Sequence, residues 1–431
     1  MKRVESNFVD VGSLRTGMFV ELDMGWMAHP FPTGSFKITQ TKQIDTIRSL
    51  GIKSVRHYPE KSDPPPPSGA DALANPAGDT PESHERREAE QAAQQRRQQH
   101  AELLSAQHHS LLVCERRFGE AARQYRKTLE HVSTQPLIVA RQCRSMVGGF
   151  VADLLGEGES AIRLLTQAAG DKSAMHSVNV TVICLLLGKS LGLAQGEMED
   201  LGLAAFLHDI GKIELPDRVR WFEDSFTSAE TRLYQEHVGQ GVQIGKSMEL
   251  SSNALLAIAQ HHELVDGSGF PLRIRDQQMT MGARILALVN RYDNLCNPNR
   301  LGAALTPHEA LSLLFAQLKI RFDPVVLNAF IRMMGVYPPG SVVQLVDDRY
   351  ASVVSVNSSR PLKPRIVVYD PAIPAHEALI LDLEQAPALG IRRSLKPASL
   401  PAAALDYLAP RQRICYFFER VVDAPMREIK P

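Results

Sequence analysis

Two adjacent pairs of side chains carry most of the chemical capacity of this 431-residue chain: His208–Asp209, ending the apolar run AAFLHDIGK, and His261–His262, ahead of ELVDGSGFP. His176 opens HSVNVTVICLLLG and His237 lies in YQEHVGQGVQIG, so five of the 14 histidines fall between residues 170 and 265. A lone histidine on an apolar helix face is ordinarily a hydrogen-bonded core residue. Adjacent His–Asp and His–His pairs in apolar surroundings are harder to accommodate. Burying an unpaired carboxylate costs several kcal/mol, and a bound cation is the usual remedy. Imidazole nitrogen and carboxylate oxygen with no cysteine nearby suit iron, manganese or zinc rather than a thiolate structural site. Wide spacing along the chain is no obstacle, because facing helices of a bundle commonly assemble such centres.

The elements that must position these groups are helical. Val180, Ile183 and Leu187 follow His176 at helical spacing, which predicts a buried stripe. His208 and Asp209 end the next apolar helix, with Gly211 placed to terminate it. The glycines around His237 predict an interrupted helix that other groups can approach closely. SSNALLAIAQ forms the helix that His261 and His262 close, before a flexible loop.

The expected organisation is mainly α. Residues 1–61 form a small N-terminal α+β domain, with β-like runs at Met18–Leu22, Ser35–Thr39 and Ser54–Arg56 and a helix at Thr41–Leu50 closed by Gly51. Residues 62–82, rich in proline, glycine and alanine, read as a linker. A polar, strongly helix-forming stretch, 83–136, reads as a solvated connecting helix or as a surface pairing with a second copy. Residues 137–337 are the helical domain, and 338–372, with SVVQLVDD, ASVVSVN and RIVVYD, a small C-terminal antiparallel β unit. Residues 373–431 form a tail of unclear structure.

Lysine plus arginine and aspartate plus glutamate number 48 each, so no global field favours a nucleic-acid polymer or an anionic membrane. The five scattered cysteines read as free thiols in a reducing compartment. The start, MKRVESNFVDVGSL, lacks the apolar core of a signal peptide. VTVICLLLG is too short to span a bilayer, which takes about 20 residues. The expected location is cytoplasmic.

In order along the chain, HDIGK, HVGQG, HHELVDGSGFP, ARILALVNRYDNL and FDPVVLNAF resemble the HD-GYP domain of bacterial cyclic di-GMP phosphodiesterases, an HD-superfamily helical bundle. GMFVELDMGWMAHPF resembles the uncharacterised N-terminal domain often fused to it. The resemblance implies metal ligands at His176, His208, Asp209, His237, His261 and His262, and a seventh ligand position at Asn290, where the family has aspartate. It implies two divalent cations, iron or manganese, holding a bridging hydroxide with Asp209 shared between them, and hydrolysis of cyclic di-GMP to pGpG or GMP. Lys212 would meet a substrate phosphate, and Asp266, Gly267, Gly269, Phe270, Pro271 and Arg300 would line the substrate site.

Several positions depart from the family. Asn290 lacks the carboxylate charge, with Asp293 one turn further on the same face. Lys172 stands where trinuclear members carry glutamate, which implies no more than two metals. Phe270 replaces the tyrosine of Gly-Tyr-Pro, Val238 a proline, Leu264 an arginine, and Gly302 and Ala303 a tyrosine and a lysine. The alternative readings are a weakened module that binds cyclic di-GMP or relays a partner protein's state, another HD-superfamily phosphohydrolase, and a structural helical protein.

Overall fold

The structure, a computed structural model, describes residues 6–22, 31, 33–64, 81–166, 171–357 and 360–420. Most of the expected linker, Trp26 and residues 421–431 lie outside the described residues. The chain divides into two compact units, Met1–Glu90 and Gln91–Pro431.

In the first unit, β1 (Asn7–Asp10), β2 (Phe19–Glu21), β3 (Ser35–Lys37) and β4 (Ser54–His57) form an antiparallel sheet in the order β1-β4-β2-β3. Helix α1 (Thr41–Ser49) buries Ile44 and Ile47 against Val20, Ile38 and Val55. Gly51, at φ 73°, turns the chain out of the helix in the left-handed region that glycine tolerates. Strand β1 was not legible in the sequence.

The second unit is built on helices α2 (Pro81–His131), α3 (Pro136–Leu155), α4 (Lys172–Ser190), α5 (Gln195–Leu207), α6 (Ser228–Ser247), α7 (Ser252–Gln260), α8 (Met281–Cys296), α9 (Pro307–Ala316) and α10 (Pro324–Met334). Strand β5 (Ser160–Leu164) lies between α3 and α4. After α10 come β6 (Val342–Leu345), β7 (Tyr350–Asn357), β8 (Arg365–Val368), β9 (Ile380–Asp382), β10 (Ile391–Leu395), α11 (Ala402–Leu408) and β11 (Tyr416–Arg420). The mainly helical architecture agrees with the sequence reading, and no helix among the described residues is long and apolar enough to cross a membrane. All five cysteines are buried and unpaired.

Four expectations are corrected. First, the C-terminal β unit is not separate. The order β10-β6-β7-β5-β11 inserts β5 from the helical region and β11 from the supposed tail, with β8 pairing β7 and β9 pairing β8. A single core cluster runs from Tyr125 and Phe206 to Val353 and Phe417. A five-residue apolar run such as SAIRL cannot be told from helix by periodicity, which is why β5 was missed. Second, α2 is not solvated throughout: Cys114, Phe118, Ala121, Ala122 and Tyr125 enter the core on one face, while Arg116 and Glu120 on the other stay exposed. Third, α4 presents no stripe, because it is buried on every side from Ala174 to Gly188. Fourth, α6 is continuous.

Gly211 has no positive φ and does not act as a helix terminator. It lies in the 3-10 turn Ile210–Glu214, and a Cβ there would fall 2.0 Å from the His237 carbonyl oxygen and 2.5 Å from the Gly241 nitrogen. The missing side chain lets the turn after Asp209 press onto the α6 backbone, setting the distance between Asp209 and His237. Gly211→Ala is therefore expected to destabilise the fold by about 3 kcal/mol or more, since backbone cannot yield as a flexible side chain would. A melting temperature within a degree of wild type would refute this packing argument.

Candidate metal centre

The second unit brings the five histidines to one buried point. His176 comes from the second turn of α4. His208 caps α5, with Asp209 leading into the Gly211 turn; His237 lies mid-α6, and His261 and His262 follow α7. The Nδ1 atoms of His208, His237 and His261 lie 2.8, 2.5 and 2.6 Å from the carbonyl oxygens of Ala205, Tyr234 and Ile258. A carbonyl can only accept, so each Nδ1 donates, and in a neutral ring each Nε2 is left with a bare lone pair.

Those Nε2 atoms converge. His176 Nε2 is 3.2 Å from His208 Nε2, and His237 Nε2 is 3.3 Å from His261 Nε2. Asp209 stands between the pairs. Its Oδ2 faces His208 and His176 at 3.5 and 3.7 Å, and its Oδ1 faces His237 and His261 at 3.6 and 3.7 Å. The ligand atoms thus form two groups sharing Asp209: His176, His208 and Asp209, and Asp209, His237, His261 and His262, each within 4.8 Å of one another. Asp209 Oδ1 and His262 Nε2 are buried without a hydrogen-bond partner.

Burial pushes the His208 and His262 pKa values well below 6.5 and that of His237 down to about 3, against the opposing pull of Asp209. Burial alone would raise Asp209, but the Lys212 ammonium holds it well below the usual carboxylate range. Bare lone pairs facing one another beside an orphaned carboxylate oxygen lack positive charge, and this donor set fits a pair of cations sharing Asp209.

Polar partners set the ring orientations. The Asp293 carboxylate accepts from His176 Nδ1 at 2.6 Å, from Asn179 Nδ2 at 2.9 Å and from Asn297 Nδ2 at 3.0 Å. The same two amides donate to the Ile414 carbonyl at 2.7 and 2.9 Å. Asp293, considered in the sequence as a substitute ligand, instead orients His176, in the manner of the carboxylates that hold metal-binding histidines. Asn290 is buried, with Oδ1 accepting from Asn294 Nδ2 at 2.7 Å. The Phe270 ring stacks on His262 at 4.3 Å.

The expected substrate residues are less gathered. Lys212 Nζ lies 2.6 Å from Asp209 Oδ2; burial would lower its pKa, but Asp209 raises it above the ordinary lysine value. Asp266 receives Ser268 N and Oγ at 2.9 and 2.6 Å. Gly267 takes φ 79°, and Phe270–Pro271 is a cis peptide. A Cβ on Gly269 would fall 2.5 Å from the His262–Leu264 backbone, so smallness there serves the loop's own packing. Arg300 is exposed and paired with Glu223 at 2.8 Å. Sequence reasoning missed Glu263, which is fully buried and accepts from Leu272, Arg273 and Ile274 N at 2.6, 3.1 and 3.2 Å, closing the 264–274 loop. A carboxylate beside two buried histidines was the available signal.

Residues 151–326 match the family described as an HD domain, and residues 7–143 match a domain of unknown function, DUF3391. The chain is 27% identical over 374 residues to a cyclic di-GMP phosphodiesterase of Pseudomonas aeruginosa, covering 84% of each. It is 33% identical over 150 residues to a cyclic di-GMP phosphodiesterase response regulator of Xanthomonas campestris, covering 34% of this chain and 39% of that one. It is 28% identical over 167 residues to a 3'3'-cGAMP-specific phosphodiesterase of Vibrio cholerae, covering 38% of this chain and 31% of that one. A solved HD-GYP-type protein from Bdellovibrio bacteriovorus aligns with TM-score 0.42 at 13% identity, covering 76% of this chain and 98% of that one. Residues 151–326 thus resemble HD-domain proteins and residues 7–143 the DUF3391 domain, and the relatives matched are named as cyclic dinucleotide phosphodiesterases.

Two outcomes follow from this geometry. Asp293→Asn is expected to weaken metal binding about 10- to 100-fold in a competing-chelator titration, because the His176 ring loses its anionic anchor; unchanged affinity would remove that role. For the metal-stripped protein, histidines held neutral in the fold take up protons near pH 6.5 once unfolded. Stability is then full above that pH and falls below it, by about 1.4 kcal/mol per pH unit for each proton refused. The melting temperature should drop from pH 7.5 to 5.5, and less steeply in His237→Leu; equal slopes would contradict the assignment.

Proposed function

We propose that this protein is a metal-dependent phosphodiesterase that hydrolyses cyclic di-GMP to pGpG or GMP. The carrying observation is the pair of bare-Nε2 groups that share Asp209. His176, His208 and Asp209 would hold one divalent cation, and Asp209, His237, His261 and His262 a second, with iron and manganese the metals best suited to this donor set. When bound, the cations supply charge neutralisation at the scissile phosphate and activation of a water molecule as the nucleophile.

The chain's own residues do the rest. Tyr234, Ala205 and Ile258 fix three rings through Nδ1, so each Nε2 is presented without a proton. Lys212, whose ammonium lies 2.6 Å from Asp209 Oδ2, would be the group placed to meet developing negative charge on the phosphate. Phe270 and Glu263 hold His262 and the adjoining loop, which shield one side of the site from water. The relatives named above, which act on cyclic di-GMP and on 3'3'-cGAMP, support a cyclic dinucleotide as substrate and, with it, a cytoplasmic location.

A second reading, a weakened module that binds the nucleotide or relays a partner's state, draws on Asn290, Leu264 and Ala303. Pairing through the helix at 83–136 would fall mainly to the residues before Cys114, because from there on one face of the helix is in the core.

Elemental analysis of purified protein should find iron or manganese near two per chain, and removal by chelator should abolish hydrolysis of cyclic di-GMP until Mn²⁺ is restored. His208→Ala should lose both metal and turnover. Nucleotide binding without any turnover would select the weakened module, and absence of metal would defeat both readings. Asn290→Asp is expected to raise metal content or turnover; no change in either takes Asn290 out of the ligand set.

A further inference from the structure

Lys172 opens α4 one turn before His176, and its surroundings are unusual for a half-buried ammonium. Its Nζ lies 3.9 Å from the centroid of the Trp221 ring and 3.4 Å from Asn299 Oδ1. Among the described residues it makes no ion pair. Other cations stand close: Lys212 Nζ is 5.1 Å from the same ring, and the field of Arg413 reaches Lys172. Burial first, then Arg413 and Lys212, push the Lys172 pKa down to about 8 against the opposing pull of Asp293 and Asp209. The nearby Glu223 is already engaged, accepting from Asn299 Nδ2 at 3.3 Å and Arg300 Nη2 at 2.8 Å.

Arg413 is held in place by the network that orients the metal centre. Its neighbour Ile414 donates its N–H to Asn297 Oδ1 at 2.8 Å, and the Ile414 carbonyl accepts from Asn179 and Asn297. Tyr416 N donates to Asn179 Oδ1 at 2.9 Å. A segment of the C-terminal region is thereby fixed against α4 and α8, and Arg413 Nη1 reaches the carbonyl of Pro298 at 3.5 Å, one residue from the Asn299 that accepts from Lys172. No carboxylate among the described residues lies within ion-pair distance of Lys172, beside a centre whose reading above calls for a substrate with two phosphates. Those phosphates belong to one closed ring, so when one is at the metals the other occupies a fixed neighbouring place.

We propose that Lys172 and Arg413, with the Trp221 indole behind the lysine, form a second phosphate subsite that takes the phosphodiester not being hydrolysed. This rests on the cyclic dinucleotide reading. It gives the chain, from α4 and its C-terminal segment, the cationic contact that Gly302 and Ala303 do not offer. An ammonium against an aromatic face stays charged without a carboxylate partner and remains available to an incoming anion.

The test uses the full-length, manganese-loaded protein. Lys172→Met and Arg413→Met should shift the ratio of kcat/KM between cyclic di-GMP and bis(p-nitrophenyl) phosphate at least tenfold toward the small ester, chiefly through the cyclic dinucleotide's KM. Lys172→Arg should recover most of the ratio. Equal losses on both substrates, an unchanged ratio, or a fall in metal content in the variants would overturn the subsite. Calorimetric binding of pGpG, with two phosphates, against GMP, with one, needs no turnover of the cyclic substrate. Wild type should prefer pGpG, and Lys172→Met should lose that preference by tenfold. If cyclic di-GMP is not cleaved but the pGpG preference and its loss are seen, the reaction assignment fails and the subsite stands; no preference in wild type removes the subsite.

Discussion

Repulsion among bare imidazole nitrogens around Asp209 is the constraint on which the rest of the centre depends. Three rings are locked by carbonyl acceptors, and burial keeps His208 and His237, one from each facing pair, from carrying a proton of their own. Such an arrangement is costly without a cation, and the fold maintains it through groups that offer the rings no alternative. Lys212 is the only ammonium the described structure places on Asp209, and it satisfies Oδ2 while leaving Oδ1 without a partner.

The demand for close approach accounts for much of the local sequence. Gly211 lets the turn after Asp209 lie on the α6 backbone, and Gly269 lets the loop after the histidine pair fold back on its own stem. Glu263 then closes that loop through three backbone amides. These residues look like a substrate-binding string when read along the chain. In three dimensions several of them first serve the geometry of the histidines beside them.

The centre is also continuous with the sheet. From His176 the hydrogen bonds pass to Asp293, to Asn179 and Asn297, and to the backbone at Ile414, next to β11. Buried polar groups linked in this way stabilise one another as a network, and each loss leaves another partner unsatisfied. The C-terminal segment is therefore part of the support of the metal centre as well as of the sheet core, which no linear division of the chain into a helical domain and a tail would capture.

The sequence by itself determined the mainly helical second unit, the N-terminal sheet runs around α1, and the six imidazole and carboxylate groups, because burying adjacent His–Asp and His–His pairs demands a compensating charge whatever the topology. It did not determine β5, the single seven-stranded sheet, the depth of α2 in the core, or the parts played by Asp293, Glu263 and Ile414. Most of those depend on contacts between residues more than 100 apart, and Glu263 on amides across its own loop, and neither period nor composition encodes which strand or amide will be adjacent. Only the tertiary structure decided that Asp293 faces His176 Nδ1, that Gly211 is a point of contact, and that Lys172 lies against Trp221, since direction and distance between elements exist only once the core has packed.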